Sequence, residues 1–273
     1  MRLLTWNLNA RRRIDAQAAA IAARNPDVIA LQEVTAYSAL FLRRALPAAG
    51  FTHLIDSFVH SAPWSATGPR RYGLLIASRY PATNVTATSV VLWPERILSG
   101  DVSTPTGVVR LHTTHIPPGS SNGWVKVDML EGVLAVVAES SEAPSILCGD
   151  FNVPQAETAL GRIVTWAERM KIGREPSLRS RWRGGGAPRW DLAERSVMEG
   201  GRGRLLIDAY RHMHGYERQE FSWYLKRKSL RVGRRFDHAF CSPELQILRC
   251  EYLHDVREQG LSDHSALELD FEV

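Results

Sequence analysis

The stretch GLSDHSALELDF, residues 260–271, sets an adjacent Asp and His between a Gly/Ser turn and a run that alternates between apolar and polar side chains. Leu267, Leu269 and Phe271 fall on one face and Glu268 and Asp270 on the other, which is the period of a β-strand. Asp263 and His264 therefore stand at the mouth of a strand, where rigid scaffolds mount reactive groups. Neighbours in a regular strand point opposite ways, so the pair can share one site only where the strand begins irregularly, and Gly260 and Ser262 permit that.

The same arrangement recurs along the chain. Residues 2–8 read as a strand, 15–24 as an Ala-rich helix stopped by Asn25 and Pro26, and 28–31 as a second strand, a β-α-β opening. A helix follows over 37–46, ended by Pro47, then strands at 72–78, 85–92 and 108–115 and a long helix over 124–139. Residues 145–149 form a buried strand leading into GDFN, with a helix expected over 155–170 and strands at 235–241, 246–254 and 266–273. Between them, 172–204 is rich in Arg and Gly around RSRWRGGGAPRW and reads as a basic loop inserted in a single domain spanning 1–273. Strands alternating with helices make this an α/β fold.

With 273 residues, 44% of them hydrophobic, the chain can bury a sizeable core. The 34 Lys and Arg against 29 Asp and Glu leave a formal charge of +5, which favours an anionic partner such as nucleic acid. Cys148, Cys241 and Cys250 lack CxxC spacing and suggest reduced thiols, hence a cytoplasmic protein. The apolar run before Asn7 is too short for a signal peptide, and no segment is long enough to cross a bilayer; no membrane association or obligate protein partner is expected.

Polar residues cluster where apolar strands end: Asn7 and Asn9 after LLTW, Glu33 after VIALQ, His115 after VVRLHTT, Asp150 and Asn152 after SILCG, and Asp237 after RRF. Each alone is commonly a turn or cap residue. Together they give carboxylates, amides and imidazoles without cysteine ligands, a donor set suited to Mg²⁺ or Mn²⁺ rather than Zn²⁺. Hard cations beside imidazoles suit phosphate chemistry, in which charge is neutralised and a water is aimed in line with the leaving oxygen.

TWNLNA, ALQEV, YGLLIAS, CGDFNV, RRFDHAF and LSDHSAL, in this order over nearly the whole chain, resemble the endonuclease/exonuclease/phosphatase superfamily. IDAYRHMHG, FSWY and GRRFDHAFCSPEL look most like its exonuclease III and abasic-site endonuclease branch. The resemblance implies a four-layer α/β sandwich, two β-sheets packed face to face with helices outside, and a DNA substrate, double-stranded, cut as an abasic-site endonuclease or 3′–5′ exonuclease of DNA repair. It implies Glu33 as main metal ligand with Asn7 and Asp263, and His264 at the scissile phosphate oriented by Asp237. Asp150 would orient or deprotonate the water, or protonate the leaving oxygen, while Asn152 would bond a phosphate oxygen. One position departs from the branch: His115 of THIPPG stands where those enzymes have Tyr and is more like deoxyribonuclease I, the phosphatases and the tyrosyl-DNA phosphodiesterases. His115 could donate to phosphate or to the leaving group, and it leaves open a second reading, hydrolysis of a small-molecule or lipid phosphate ester.

Around these lie candidate substrate-binding residues: Asn9 and Arg12 after the first strand, and Arg234 in the basic stretch near its end. Phe221 and Trp223, on one face of FSWY by alternation, could stack on a base or an exposed sugar. The Arg/Trp segment 179–190 could also touch DNA. His238 follows Asp237 in a strand and should point away from the site.

Overall fold

The computed structural model describes residues 1–10, 13–58, 68–139, 143–171, 173–201, 206–227 and 230–273. The elements that carry the architecture are strands β1 (Arg2–Asn7), β2 (Val28–Val34), β3 (His53–Asp56), β4 (Gly73–Ser78), β5 (Ala82–Val85) and β6 (Ile97–Thr104). They continue with β7 (Gly107–His115), β8 (Ser145–Asp150), β9 (Ile207–Asp208), β10 (Asp237–Cys241), β11 (Gln246–Leu253) and β12 (Ala266–Glu272). The helices of six residues or more among the described residues are α1 (Ile14–Arg24), α2 (Ala36–Ala48), α3 (Val125–Ala138), α4 (Ala187–Met198) and α5 (Ala209–His214).

β1 is apolar on both faces because both are covered. Leu3 turns into a core shared with Leu111, Cys148 and Ala239, while Leu4 and Trp6 pack under helical residues such as Ile21 and Leu42. The same division holds for β8, where Cys148 faces inward and Leu147 packs with Val133 of α3 and Val197 of α4. Three apolar layers therefore separate helices, sheet, sheet and helices, the four-layer sandwich that the sequence motifs imply. One six-stranded sheet runs β11-β12-β1-β2-β4-β3 and the other β9-β10-β8-β7-β6-β5. Both are mixed: β1 with β2 and β7 with β8 are parallel, and the remaining pairs antiparallel. All three cysteines are buried and unpaired. Among the described residues no helix is long and apolar enough to cross a membrane.

Three expectations change. The helix expected over 155–170 is instead a pair of short strands at Ala156–Glu157 and Ile163–Val164 followed by a hairpin, Glu168–Lys171 with Arg174–Leu178. Gly161, with φ of +83°, lets Thr158 and Arg162 close a tight turn that a helix would forbid. The described part of the 172–204 segment is not a loop: it holds the second strand of that hairpin and α4, which buries Trp190, Ala193, Val197 and Met198 against α3. Its apolar residues recur at helical spacing, a pattern masked by the Arg and Gly around them. The strand expected over 85–92 ends at Val85, whereas β6 went unread because Gly100 and Asp101 interrupt its apolar run.

If α4 is an integral layer, Met198→Ala, at a position 5% exposed, should lower the free energy of unfolding by about 2–5 kcal/mol in a urea titration. A change below about 0.5 kcal/mol, as expected for a surface residue, would mean that this helix is only loosely attached.

Candidate active site

The parallel pair at the centre of each sheet brings the strand ends together. β1, β2, β7 and β8 finish on one rim of the sandwich and deliver Asn7, Glu33, His115 and Asp150 there. Antiparallel neighbours begin where these end: Asp237 opens β10 opposite Asp150, and His264 lies just ahead of β12, bridged to Trp223. The irregular start expected before β12 is present, and His264 is joined to Ser262, whose hydroxyl accepts the His264 backbone N–H at 3.1 Å.

Two backbone devices aim the carboxylates. Glu33 has a left-handed φ of 52°, at a register shift between β2 and β4, so a bulge releases it from the alternation of its strand. Gly149 has φ of +133°, and a Cβ there would lie 2.0 Å from the Thr114 carbonyl oxygen. Any side chain would push β8 off β7, which is why glycine precedes Asp150.

Asn9 donates its backbone N–H to Asn7 Oδ1 at 2.8 Å, which fixes the Asn7 amide. Its Nδ2 then faces two carboxylates, Asp150 Oδ2 at 2.9 Å and Glu33 Oε1 at 3.3 Å. Asn7 thus holds the acids with its NH₂ rather than presenting a free carbonyl to a metal. Asp150 Oδ1 accepts the Asn152 backbone N–H at 2.9 Å, and Asn152 Nδ2 donates to the Ile116 carbonyl at 3.0 Å. On the other side His264 Nδ1 bonds Asp237 Oδ2 at 2.8 Å, leaving Nε2 3.9 Å from Asp150 Oδ2. His238 is turned away, as alternation requires, and its Nε2 donates to the Val153 carbonyl at 2.8 Å.

Burial sets the electrostatics. It raises the Glu33 and Asp150 carboxyls above the ordinary range, and Asp237 and Glu33 push Asp150 further while His264 opposes. For His264 burial favours the neutral ring, but Asp237 and Asp150 outweigh it and the pKa is pushed up to about 10. His115 goes the other way: burial, then the charges of Arg96 and His264, hold it well below its usual value. Arg96 can only donate, so His115 Nδ1 accepts from it and Nε2 carries the hydrogen. That N–H lies 3.6 Å from Glu33 Oε1 and 3.7 Å from Asp150 Oδ2, a neutral donor at the reaction centre.

The ligand atoms of Glu33, His115 and Asp150 lie within 4.8 Å of one another, as do those of Asp150, Asp237 and His264. Asp263 accepts from Trp223 Nε1 at 3.1 Å through Oδ2, while its Oδ1 is shielded from solvent and has no donor. A buried carboxylate oxygen without a donor beside a cluster whose acids are pushed up by burial fits a hard divalent cation.

Glu33, His115, Asp150, Asn152, Asp263 and His264 line a cleft of about 640 Å³ together with Trp223 and Arg234 of a hairpin pairing Trp223–Arg227 with Leu230–Arg234, and with Phe236, Trp166, Arg179 and Trp182. Of the candidate substrate contacts, Trp223 and Arg234 line it. Asn9 instead braces Asn7, and Arg12 lies outside the described residues. Phe221 packs edge-on against Tyr224 at 5.9 Å and is not part of the lining, because Ser222 turns inward to accept the Phe236 and Asp237 N–H groups and the strand starts only at Trp223. Arg96, Lys126 and Trp166 escaped the sequence reading. A lysine inside the apolar run WVKVDML was a usable signal; Arg96 carried none.

Lys126 is fully buried, 2.7 Å from Glu194 Oε1, and donates to the Asn152 carbonyl at 2.9 Å. Trp166 Nε1 donates to the same carbonyl at 3.1 Å, and Glu194 also accepts from Trp190 Nε1 at 2.7 Å. Lys126→Met would leave Glu194 charged and buried, so unfolding should become easier by about 3–5 kcal/mol, with much of the loss recovered in Lys126→Met/Glu194→Leu. Denaturant titration of both variants checks this; no recovery would show that the pair is not the cause.

The His264–Asp237 pair has a definite pH signature. The folded pKa lies above the ordinary 6.5, so the stabilisation is complete below about pH 6.5 and is lost as pH rises towards 10. The stability gap between the wild type and His264→Gln in EDTA should therefore narrow over that range, and a constant gap would refute the assignment.

The sequence profile of the endonuclease/exonuclease/phosphatase family matches residues 4–264. No curated protein matches the chain. Among solved structures, an AP endonuclease from Archaeoglobus fulgidus superposes with a TM-score of 0.71 at 18% identity, covering 100% of both chains. The Neisseria 3′ phosphatase NExo, bound to a product DNA hairpin, gives 0.70 at 20% identity over 100% of both. D. rerio TDP2 complexed with single-strand DNA product gives 0.67 at 16%, covering 100% of this chain and 99% of that one. These likenesses are of fold; the profile match and the converged rim carry the assignment, and the chain belongs to the endonuclease/exonuclease/phosphatase family of phosphoesterase hydrolases.

Proposed function

We propose that this enzyme is a divalent-cation-dependent phosphodiesterase acting on DNA, as an abasic-site endonuclease, a 3′–5′ exonuclease, or both. The observation that carries the reading is the placing of Asp150 between Glu33 and the Asp237-held His264, in a cleft whose Arg179 and Arg234 have no carboxylate partner among the described residues. Arginines left unpaired beside buried acids suit a substrate carrying several negative charges. DNA-bound relatives of the same fold support that choice.

Glu33 and Asp263 would hold the cation, with Asn7 fixing the Glu33 carboxylate. Bound there, Mg²⁺ or Mn²⁺ supplies charge neutralisation and polarises the phosphate. The His264 imidazolium, oriented by Asp237, donates from Nε2 to a nonbridging oxygen whose negative charge grows in the transition state. Asp150, with its raised proton affinity, suits proton transfer with the attacking water. His115 Nε2–H adds a neutral donor, and its presence in place of Tyr favours a second reading, hydrolysis of a small-molecule or lipid phosphate ester by the same site.

Labelled duplexes bearing an abasic site, a 3′-recessed end or no lesion, beside a generic phosphomonoester, test this in Mg²⁺ and in EDTA. Metal-dependent incision or stepwise 3′ trimming is expected, with His264→Ala lowering kcat by about 10²–10⁴ and Glu33→Gln raising the Mg²⁺ requirement. Turnover of the monoester alone would remove DNA as substrate.

A further inference from the structure

Part of the cleft wall takes no part in the reaction centre. Trp182 sits on the connection between the hairpin and α4, and two guanidiniums stack on it: Arg179 with Cζ 4.7 Å and Arg183 with Cζ 5.4 Å from its ring centroid. Arg183 also lies 4.9 Å from the ring of Trp190, which is fully buried and meets Trp182 edge-on at 5.8 Å. Two cations and two perpendicular indoles are thus packed together on this wall.

Neither arginine has an acidic partner among the described residues. Arg179 Nε donates to the Glu168 carbonyl at 3.0 Å and Arg183 to the Gly119 carbonyl at 2.7 Å, bonds that fix the guanidiniums and leave their charge uncompensated. The indole N–H of Trp182 is shielded from solvent and has no acceptor. A buried donor without an acceptor is costly, so an occupant that brings one is favoured. Arg183 itself has a left-handed φ of 44°, a conformation shared with Asn9, Glu33 and Asn152 at the reaction centre.

Planar faces, fixed positive charge and an orphan donor together select a ligand with a flat π-system, negative charge and hydrogen-bond acceptors. We infer that the Arg179–Trp182–Arg183 shelf binds one unpaired nucleotide flanking the scissile phosphate, its base packing on the cation–indole cluster and its phosphate meeting the guanidiniums. A paired base keeps both faces inside the duplex stack, so only an unpaired nucleotide can lay the face of its base on the shelf. The inference rests on the phosphodiesterase reading and adds to it a preference for single-stranded or frayed ends.

Binding in EDTA tests it without turnover, using a fluorescein-labelled oligothymidylate and a blunt hairpin duplex of equal charge. The wild type should bind the unpaired probe more tightly. Trp182→Ala should weaken that binding by about 5- to 150-fold, the worth of one base–aromatic stack, with far less effect on the hairpin. Trp182→Phe, which keeps a ring, should retain most of the affinity and controls for misfolding. Arg183→Gln should flatten the log–log salt dependence by about 0.7, one phosphate's share on a single strand. Leu160→Ala, at a site 97% exposed, should change nothing. Equal affinity for the two probes, or equal loss on both in Trp182→Ala, would overturn the shelf while leaving the phosphodiesterase reading in place. Failure to bind either probe would likewise overturn the shelf, whereas the phosphodiesterase reading stands or falls on turnover in Mg²⁺.

Discussion

The hydrogen bond from Asn7 Nδ2 to Asp150 Oδ2, at 2.9 Å, ties the end of the central strand of one sheet to the end of the central strand of the other. Deeper in the sandwich, Gln32 of the first sheet donates to Thr113 of the second at 2.9 Å. Two sheets packed through apolar side chains stay about 10 Å apart, too far for their carboxylates to cooperate. At this rim the polar cross-ties replace the apolar filling. Acids from both sheets can then face a common point, and neither sheet alone supplies the whole cluster.

Closeness has an electrostatic cost that distinguishes this cluster from others in the same molecule. On the neighbouring side of β10, Glu157 bonds Arg235 at 2.6 Å and Arg211 at 2.7 Å, and Arg235 reaches Asp208 at 2.6 Å. There the arginines outweigh burial, and Glu157 is held down to about 2. That network is closed: it ties α5 and β10 together and asks for nothing further. At the reaction centre burial wins instead, Glu33 and Asp150 are pushed up, and Asp237 and Asp263 each keep a shielded oxygen without a donor. Buried acids left short of positive charge are unstable by themselves and become favourable once a cation or a proton arrives. The same residue types therefore build a closed strut in one place and an electrostatically strained cluster in the other, according to whether the neighbouring positive charge outweighs burial.

Most of this was legible in the chain wherever local pattern and tertiary role agree. Runs such as LLTW, VIALQ and SILCG are apolar on both faces because helices cover one side and the partner sheet the other, and the polar residues that follow them meet at one rim. Asp263 and His264 were readable as a pair because Gly260 and Ser262 announce an irregular strand start. The reading failed where two scales compete. Residues 155–170 have helical composition, yet Gly161 and the pairing of Arg162 with Glu168 at 2.9 Å favour a hairpin. Around 187–198 the Arg and Gly content hid a helix whose apolar side completes the core. Phe221 shows the limit of alternation, since one inward serine reset the phase. Contacts such as Arg96 with His115 join residues that only the β6–β7 register brings side by side, and no local pattern encodes that register.

The segment after GDFN carries two of the misread elements and much of the cleft lining, and one physical cause accounts for both. A wall that serves a ligand must expose Arg and Trp towards it, which lowers the apolar contrast by which elements are recognised. The same wall must be rigid, so its other side is anchored through buried groups. Glu194 of α4 accepts from Lys126, Trp190 and the Trp166 backbone, and Lys126 and Trp166 both donate to the Asn152 carbonyl. The loop after Asp150 and the wall that lines the cleft are thereby braced by one carboxylate. A displacement of α4 would be felt at Asn152 through two hydrogen bonds, so the outer helical layer is part of the geometry on which phosphate chemistry at this rim depends.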